Sequence, residues 1–224
     1  MKEIDFADED AVLAEMAQEL DIDPGELSVE EDRGLGSFRT GTVYRVTAGR
    51  KEWVVVESED QMRELALEVV KQDLEHEPEI FNRDFIENHI DMDRLRQDLH
   101  SDLHSERYDY YSDMDAEDFW READGYGMDV PEEDEDGEQR DPTGGEIDDL
   151  ADRATDELLK DPMSYLEDIY GRAEAVEQAI KIAGIDIDAA AEEAVNIDGA
   201  AHFLARYDGR YDTTRNGLVY WRDN

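Results

Sequence analysis

His100 and His104 lie four residues apart, so a helix would carry both imidazoles on one face, a spacing that can hold zinc. Asp98 or Asp102 would add an oxygen ligand. A zincin helix, however, needs Glu directly after the first His, and Ser101 stands there. The chain has no Cys to supply thiolates, so the expectation is two exposed helix histidines and no metal. Glu132, Asp134 and Asp136 alternate ahead of Gly137 like the first half of a calcium loop. The twelfth loop position, which should be a bidentate Glu, is Thr143, and Pro142 obstructs the exiting helix. That segment therefore reads as a solvated acidic loop, and no cofactor is expected. Carboxylate pairs occur throughout and single out no acid–base couple. The chain contains no G-x-S-x-G, no Gly-rich phosphate loop and no H-E-x-x-H. The expectation is a protein that is not an enzyme and has no catalytic residues.

A second group combines ring and charge. Tyr108, Tyr110, Tyr111, Phe119 and Trp120 are interleaved with Asp109, Asp113, Asp115, Glu117 and Asp118. Aromatics dominate cores, which is the plain reading. The alternative is an interface, in which aromatic rings flanked by carboxylates grip a basic surface made for bases and phosphates. On that alternative, the acidic partner-binding face comprises Asp98, Asp102, Asp109, Asp113, Asp115, Glu117 and Asp118, together with Glu132, Glu133, Asp134, Glu135 and Asp136. Its aromatic contacts would be Tyr108, Tyr110, Tyr111 and Trp120.

Behind both patterns stands the charge. Sixty-four acidic residues against 22 basic ones give a net of −42 in 224 residues, a self-repulsion that a compact fold must overcome. Residues 59–161 carry −27 of it, whereas residues 37–58 carry +2. Direct binding to nucleic acid or anionic lipid is disfavoured, because both need Lys/Arg patches. No apolar run approaches the roughly 20 residues of a membrane span, and the N-terminus lacks a basic-then-apolar signal layout. A soluble, cytosolic protein is expected. Duplex DNA carries roughly one charge per 100 Å² on a simple cylinder. A globule of this mass, with about 10,000 Å² exposed, would carry one per about 250 Å² if its charge were evenly spread. Imitation of DNA therefore requires concentration on one face. The rival is adaptation to salt, which fits 5 Lys against 17 Arg and predicts acid on every surface.

The elements that must position these groups read as α+β and mostly helical. Asp8 caps a helix to about Leu20, and Asp23-Pro24-Gly25 breaks it. Residues 25–37 read as a loop, Phe38 to Thr47 and Glu52 to Glu57 as a β-hairpin, and Ser58 as the cap of a helix to about Leu74. One face of the hairpin should pack on the helices and the other should meet solvent. This α+β module spans residues 1–77. An acidic helical region (78–123), an acidic Gly/Pro loop or linker (124–145) and a helical C-terminal domain (146–224) follow. The last domain ends in a turn at Asn216-Gly217 and a short strand, and Asp198 caps its final helix.

Two stretches, VVVESEDQMRELALEVVKQDLEHEPEIFNRDFIENHI at 54–90 and NIDGAAHFLARYDG at 196–209, resemble uncharacterised acidic proteins of tailed bacteriophages. The resemblance implies a phage product, and small acidic phage proteins resemble host-takeover or anti-defence factors. Likeness to Ocr-like DNA mimics lies in charge only. The expected function is therefore a non-catalytic acidic DNA mimic of anti-restriction or related type. Working in the host cytoplasm, it would inhibit a host DNA- or RNA-binding protein such as a nuclease, restriction factor or polymerase. The alternative is a halophilic or structural phage protein whose acidity serves solubility, and the third reading is an acidic hydrolase.

Overall fold

The computed structural model describes residues 5–32, 34–35, 41–129 and 138–224. Along the chain run α1 (Glu9–Leu20), β1 (Ser28–Glu31), β2 (Tyr44–Ala48), β3 (Lys51–Val56), α2 (Glu59–His76), α3 (Arg83–His89), α4 (Met92–Ser112) and α5 (Ala116–Gly125). There follow α6 (Gly144–Leu158), α7 (Pro162–Tyr170), α8 (Arg172–Ala183), α9 (Ile187–Asp198), α10 (Ala200–Leu204), β4 (Tyr211–Thr213) and β5 (Val219–Arg222). The fold is α+β and mostly helical, as expected. Much of the local order is set by aspartate. Asp8, Asp91, Asp115, Asp161 and Asp186 cap α1, α4, α5, α7 and α9, each side chain accepting a backbone N–H of the first turn. Such a cap satisfies a donor that the helix leaves unpaired and places negative charge at the positive end of the helix dipole. Part of the acid excess is therefore structural.

The chain divides into two units, Met1–Ile80 with Asp186–Asn224, and Phe81–Ile185. The expected boundaries differ: the stretch anticipated as one C-terminal domain, 146–224, is shared between both units. Asp198 is the last residue of α9, and Gly199 precedes α10 in its place. The segment anticipated as a loop or linker, 124–145, falls inside the span of the second unit rather than between units, and its Met128 is buried in that unit's core.

In the first unit, a five-stranded antiparallel sheet has the order β1-β2-β3-β5-β4. The β2–β3 turn is two residues long, and Gly49 at its first position takes φ +61°, a geometry other residues avoid. Two expectations change here. The supposed loop at 25–37 contains β1, an edge strand of mostly exposed residues that backbone pairing with β2 holds rather than any apolar period. The supposed solvent face of the hairpin is covered. Trp53 and Val55 join Val12, Met16, Tyr44 and Tyr220 in the core beneath α1, while Val54, Val56 and Trp221, pointing the other way, are also buried. Burial on both faces follows because β5 pairs with β3 across 163 residues of chain and α2 packs on β3. β3 is thus an inner strand with an unbroken Trp-Val-Val-Val run, the pattern of a strand covered twice. Phe38 and Arg39, expected at the start of the first strand, lie outside the described residues.

The second unit is helical. Its main pair is α4 with α6, and α7 packs on α8. A core of Tyr111, Phe119, Trp120, Ile147, Leu150 and Ala154 sits where α4, α5 and α6 meet. Among the described residues, no helix is long and apolar enough to cross a membrane.

Candidate functional site

The end of α4 and the start of α5 enclose a cleft of about 480 Å³, lined by Asp109, Tyr110, Asp113, Met114, Asp115 and Asp118. The turn between the two helices brings these residues together. Tyr111 closes α4 on the core and Asp115 restarts the chain as the cap of α5, accepting from Asp118 N at 2.9 Å. Four expected carboxylates and Tyr110 therefore share one place. Asp118 also pairs with Arg121. Tyr110 is 56% exposed and meets Tyr111 edge-on, with ring centroids 5.2 Å apart. The lining is negative, with one exposed ring beside the carboxylates.

The other expected contacts are distributed differently. Tyr111 and Trp120, anticipated as partner contacts, are each 2% exposed and belong to the core. Burial pushes the Tyr111 phenol up to about 12. Trp120 Nε1 donates to the Arg140 carbonyl at 2.9 Å, and the Arg140 guanidinium lies 4.6 Å above its ring. Arg140 in turn forks onto Glu146, whose carboxyl also takes the Thr143 N–H in the capping box of α6. The hydrogen bonds from Arg140 lead in holding Glu146 down to about 2, against the opposing effect of burial. Tyr108 is half-buried against the same core. Asp98, Asp102 and Glu117 are exposed, the first lying 3.7 Å from Arg94. Glu132, Glu133, Asp134, Glu135 and Asp136 lie outside the described residues, as does Gly137 of the calcium-like loop.

The histidines face α6. A groove of about 630 Å³ between α4 and α6 is lined by Arg96, His100 and His104 together with Asp93, Asp148 and Asp152. His100 Nε2 is 3.3 Å from Asp152 and 3.5 Å from Asp156, and His104 Nε2 is 3.4 Å from Asp148. Asp98 and Asp102, considered as their oxygen partners, are not among these contacts; the acids come from the facing helix. The three aspartates recur every four residues, matching the spacing of the histidines, and that shared period was the signal available in the sequence. Among the described residues, no group of three or more His, Asp or Glu could hold a metal ion.

In the first unit, Arg45 centres an ion cluster with Asp32 at 2.8 Å, Glu52 at 3.0 Å and Asp223 at 2.6 Å. Burial works against its charge, but its hydrogen bonds to Asp223 and Asp32 outweigh that and hold the guanidinium above its ordinary value. This residue, on the hairpin face expected to meet solvent, ties β1, β2, β3 and the end of β5 together.

Comparison with protein-family models, with curated proteins and with solved structures finds no match to this chain.

Proposed function

We propose that this is a non-catalytic, acidic, phage-type protein that mimics DNA and occupies the nucleic-acid site of a host nuclease, restriction factor or polymerase in the host cytoplasm. The observation that carries this reading is the cleft in which Asp109, Asp113, Asp115 and Asp118 surround exposed Tyr110. Carboxylates there stand in for phosphates, and the ring offers the kind of face against which a nucleic-acid site packs bases. Residues 81–185 hold 33 acids and 10 bases, a net of −23. Local concentration is what the reading requires. The exposed surface is 13411 Å², so a net of −42 spread evenly amounts to one charge per about 320 Å², roughly a third of the density of duplex DNA.

The test is capture from host lysate at low salt, followed by competition. Association with the captured protein should slow steeply as salt rises, and duplex DNA should displace it. Charge reversal of Asp109, Asp113 and Asp118 together should abolish binding, whereas single reversals should change it little, as exposed pairs do. A complex that still holds DNA with undiminished affinity would refute mimicry.

A second reading has its own observation. The unit formed by residues 1–80 and 186–224 carries a net of −19, so acid is not confined to one unit. That favours acidity serving solubility, and behaviour in dilute buffer separates the two readings.

A further inference from the structure

The sheet of the first unit ends at β4, and among the described residues no strand pairs with its outer side. Thr214 N donates to the Leu218 carbonyl at 2.8 Å across the β4–β5 hairpin, and Gly217 N to the Thr214 carbonyl at 3.0 Å. Hydrogen-bonded pairs alternate along an antiparallel ladder, so with Thr214 opposite Leu218 the next such pair is Asp212 with Tyr220. The other side of β5 agrees. Asp223 N donates to the Glu52 carbonyl at 3.0 Å, which turns the backbone groups of Trp221 towards β3 and those of Tyr220 towards β4. The N–H and C=O of Tyr211 and of Thr213 therefore point away from the sheet. All of β4 is exposed, and the strand has no Lys, Pro or bulge of the kind that blunts an edge.

We propose that this edge takes up an extended segment of a partner protein as a sixth strand, and that the segment carries Lys or Arg at its middle. In strand addition, main-chain bonds give affinity and the side chains on the two faces give specificity. Both faces here are acidic. On the α2 side, the Tyr211 hydroxyl donates to exposed Glu59 at 3.2 Å. On the α1 side, Asp212 and Glu19 lie close enough to Tyr220 to add to burial in pushing its phenol up. Successive side chains of an added strand alternate between the faces. Two adjacent basic residues thus meet Glu59 on one face and Asp212 with Glu19 on the other. Exposed Arg210 and Arg215 flank β4 at its two ends, which confines the basic positions to the middle of the segment. A second copy of the chain is a poor occupant, because the edge belongs to a unit of net −19 and a copy brings the same charge. The edge is separate from the α4–α5 cleft, which belongs to the other unit.

Residue-resolved hydrogen exchange of the full chain, with and without the probe peptide acetyl-SVKKVS-amide, tests this. In the free protein the Tyr211 and Thr213 amides should exchange near their intrinsic rates, and protection of both there would overturn the open edge. Peptide at about four times its Kd should slow both roughly fivefold. No slowing up to about 10 mM peptide would overturn the proposal. The same peptide N-methylated at both lysines keeps its charge but cannot join the ladder in either register, and it should protect neither amide. Equal protection by the methylated peptide would reduce the effect to charge attraction and overturn strand addition. E59Q/D212N should weaken binding of the unmethylated peptide roughly two- to tenfold, the scale of two exposed pairs. Unchanged affinity of that variant would overturn the basic partner, as would equal binding of the peptide with its lysines replaced by glutamate.

Discussion

Arg45 shows how far a single residue's role depends on its surroundings. In the sequence it is a spare base in a segment poor in acid; in the fold three carboxylates converge on it, one of them, Asp32, only 8% exposed. Removing a partner from such a cluster leaves uncompensated charge, which costs more than the pair gains. Arg45→Glu should therefore destabilise the first unit by about 3 kcal/mol. Arg45→Met, which keeps the apolar stem, should cost less. Urea unfolding followed by the near-ultraviolet signal of Trp53 and Trp221 would measure both, and equal stability of Arg45→Glu and wild type would remove the cluster's structural role. The converse holds for Tyr110 and Tyr111. They are adjacent in sequence, yet one is exposed and one is core, because neighbouring positions on a helix point about 100° apart.

At the scale of elements, β3 is where local pattern and long-range pairing meet. Its Trp-Val-Val-Val run marks a strand readily. That the strand is covered on both faces depends on β5, whose alternation places Tyr220 with Val55 and Trp221 with Val54. Trp53→Ala should cost about 3–5 kcal/mol, the range for a large buried aromatic. The loss should appear in the unfolding of the first unit and leave the fluorescence transition of Trp120, in the second unit, in place. A transition of Trp120 displaced by the same amount would mean that the two units do not unfold separately. Helices are more self-contained. Caps, first-turn acids and breakers sit within a few residues of the boundaries they set, so α1 and α2 fall close to where sequence puts them. The cap of α2 uses only one half of a capping box. Ser58 accepts from Gln61 N, but the Gln61 side chain accepts from Glu57 N and donates to the Thr42 carbonyl.

For the whole molecule, the question is what the excess acid serves. Both units carry it, at −19 and −23. A chain adapted to salt needs screening to fold, because the Debye length shortens from about 30 Å at 0.01 M to about 3 Å at 1 M. A mimic must hold its charge in ordinary buffer. We expect cooperative unfolding by calorimetry at 0.01–0.05 M salt, with stability rising only modestly towards 1 M. Collapse of both transitions in dilute buffer would transfer the argument to solubility.

What the sequence determined by itself is what short-range chemistry dictates: the helix starts at Asp and Ser, the hairpin at Gly49, the α+β class and the size of the charge. It also contains the four-residue period shared by His100, His104, Asp148, Asp152 and Asp156. Tertiary structure alone decided that β5 lies beside β3, that β1 exists, that Trp120 is covered, and that the histidines face α6 rather than Asp98 and Asp102. The physical reason is one of range. A cap or a turn is satisfied by atoms a few residues away, whereas an edge strand, a buried ring and an interhelical pair are satisfied by atoms brought near only when distant segments bury apolar surface together.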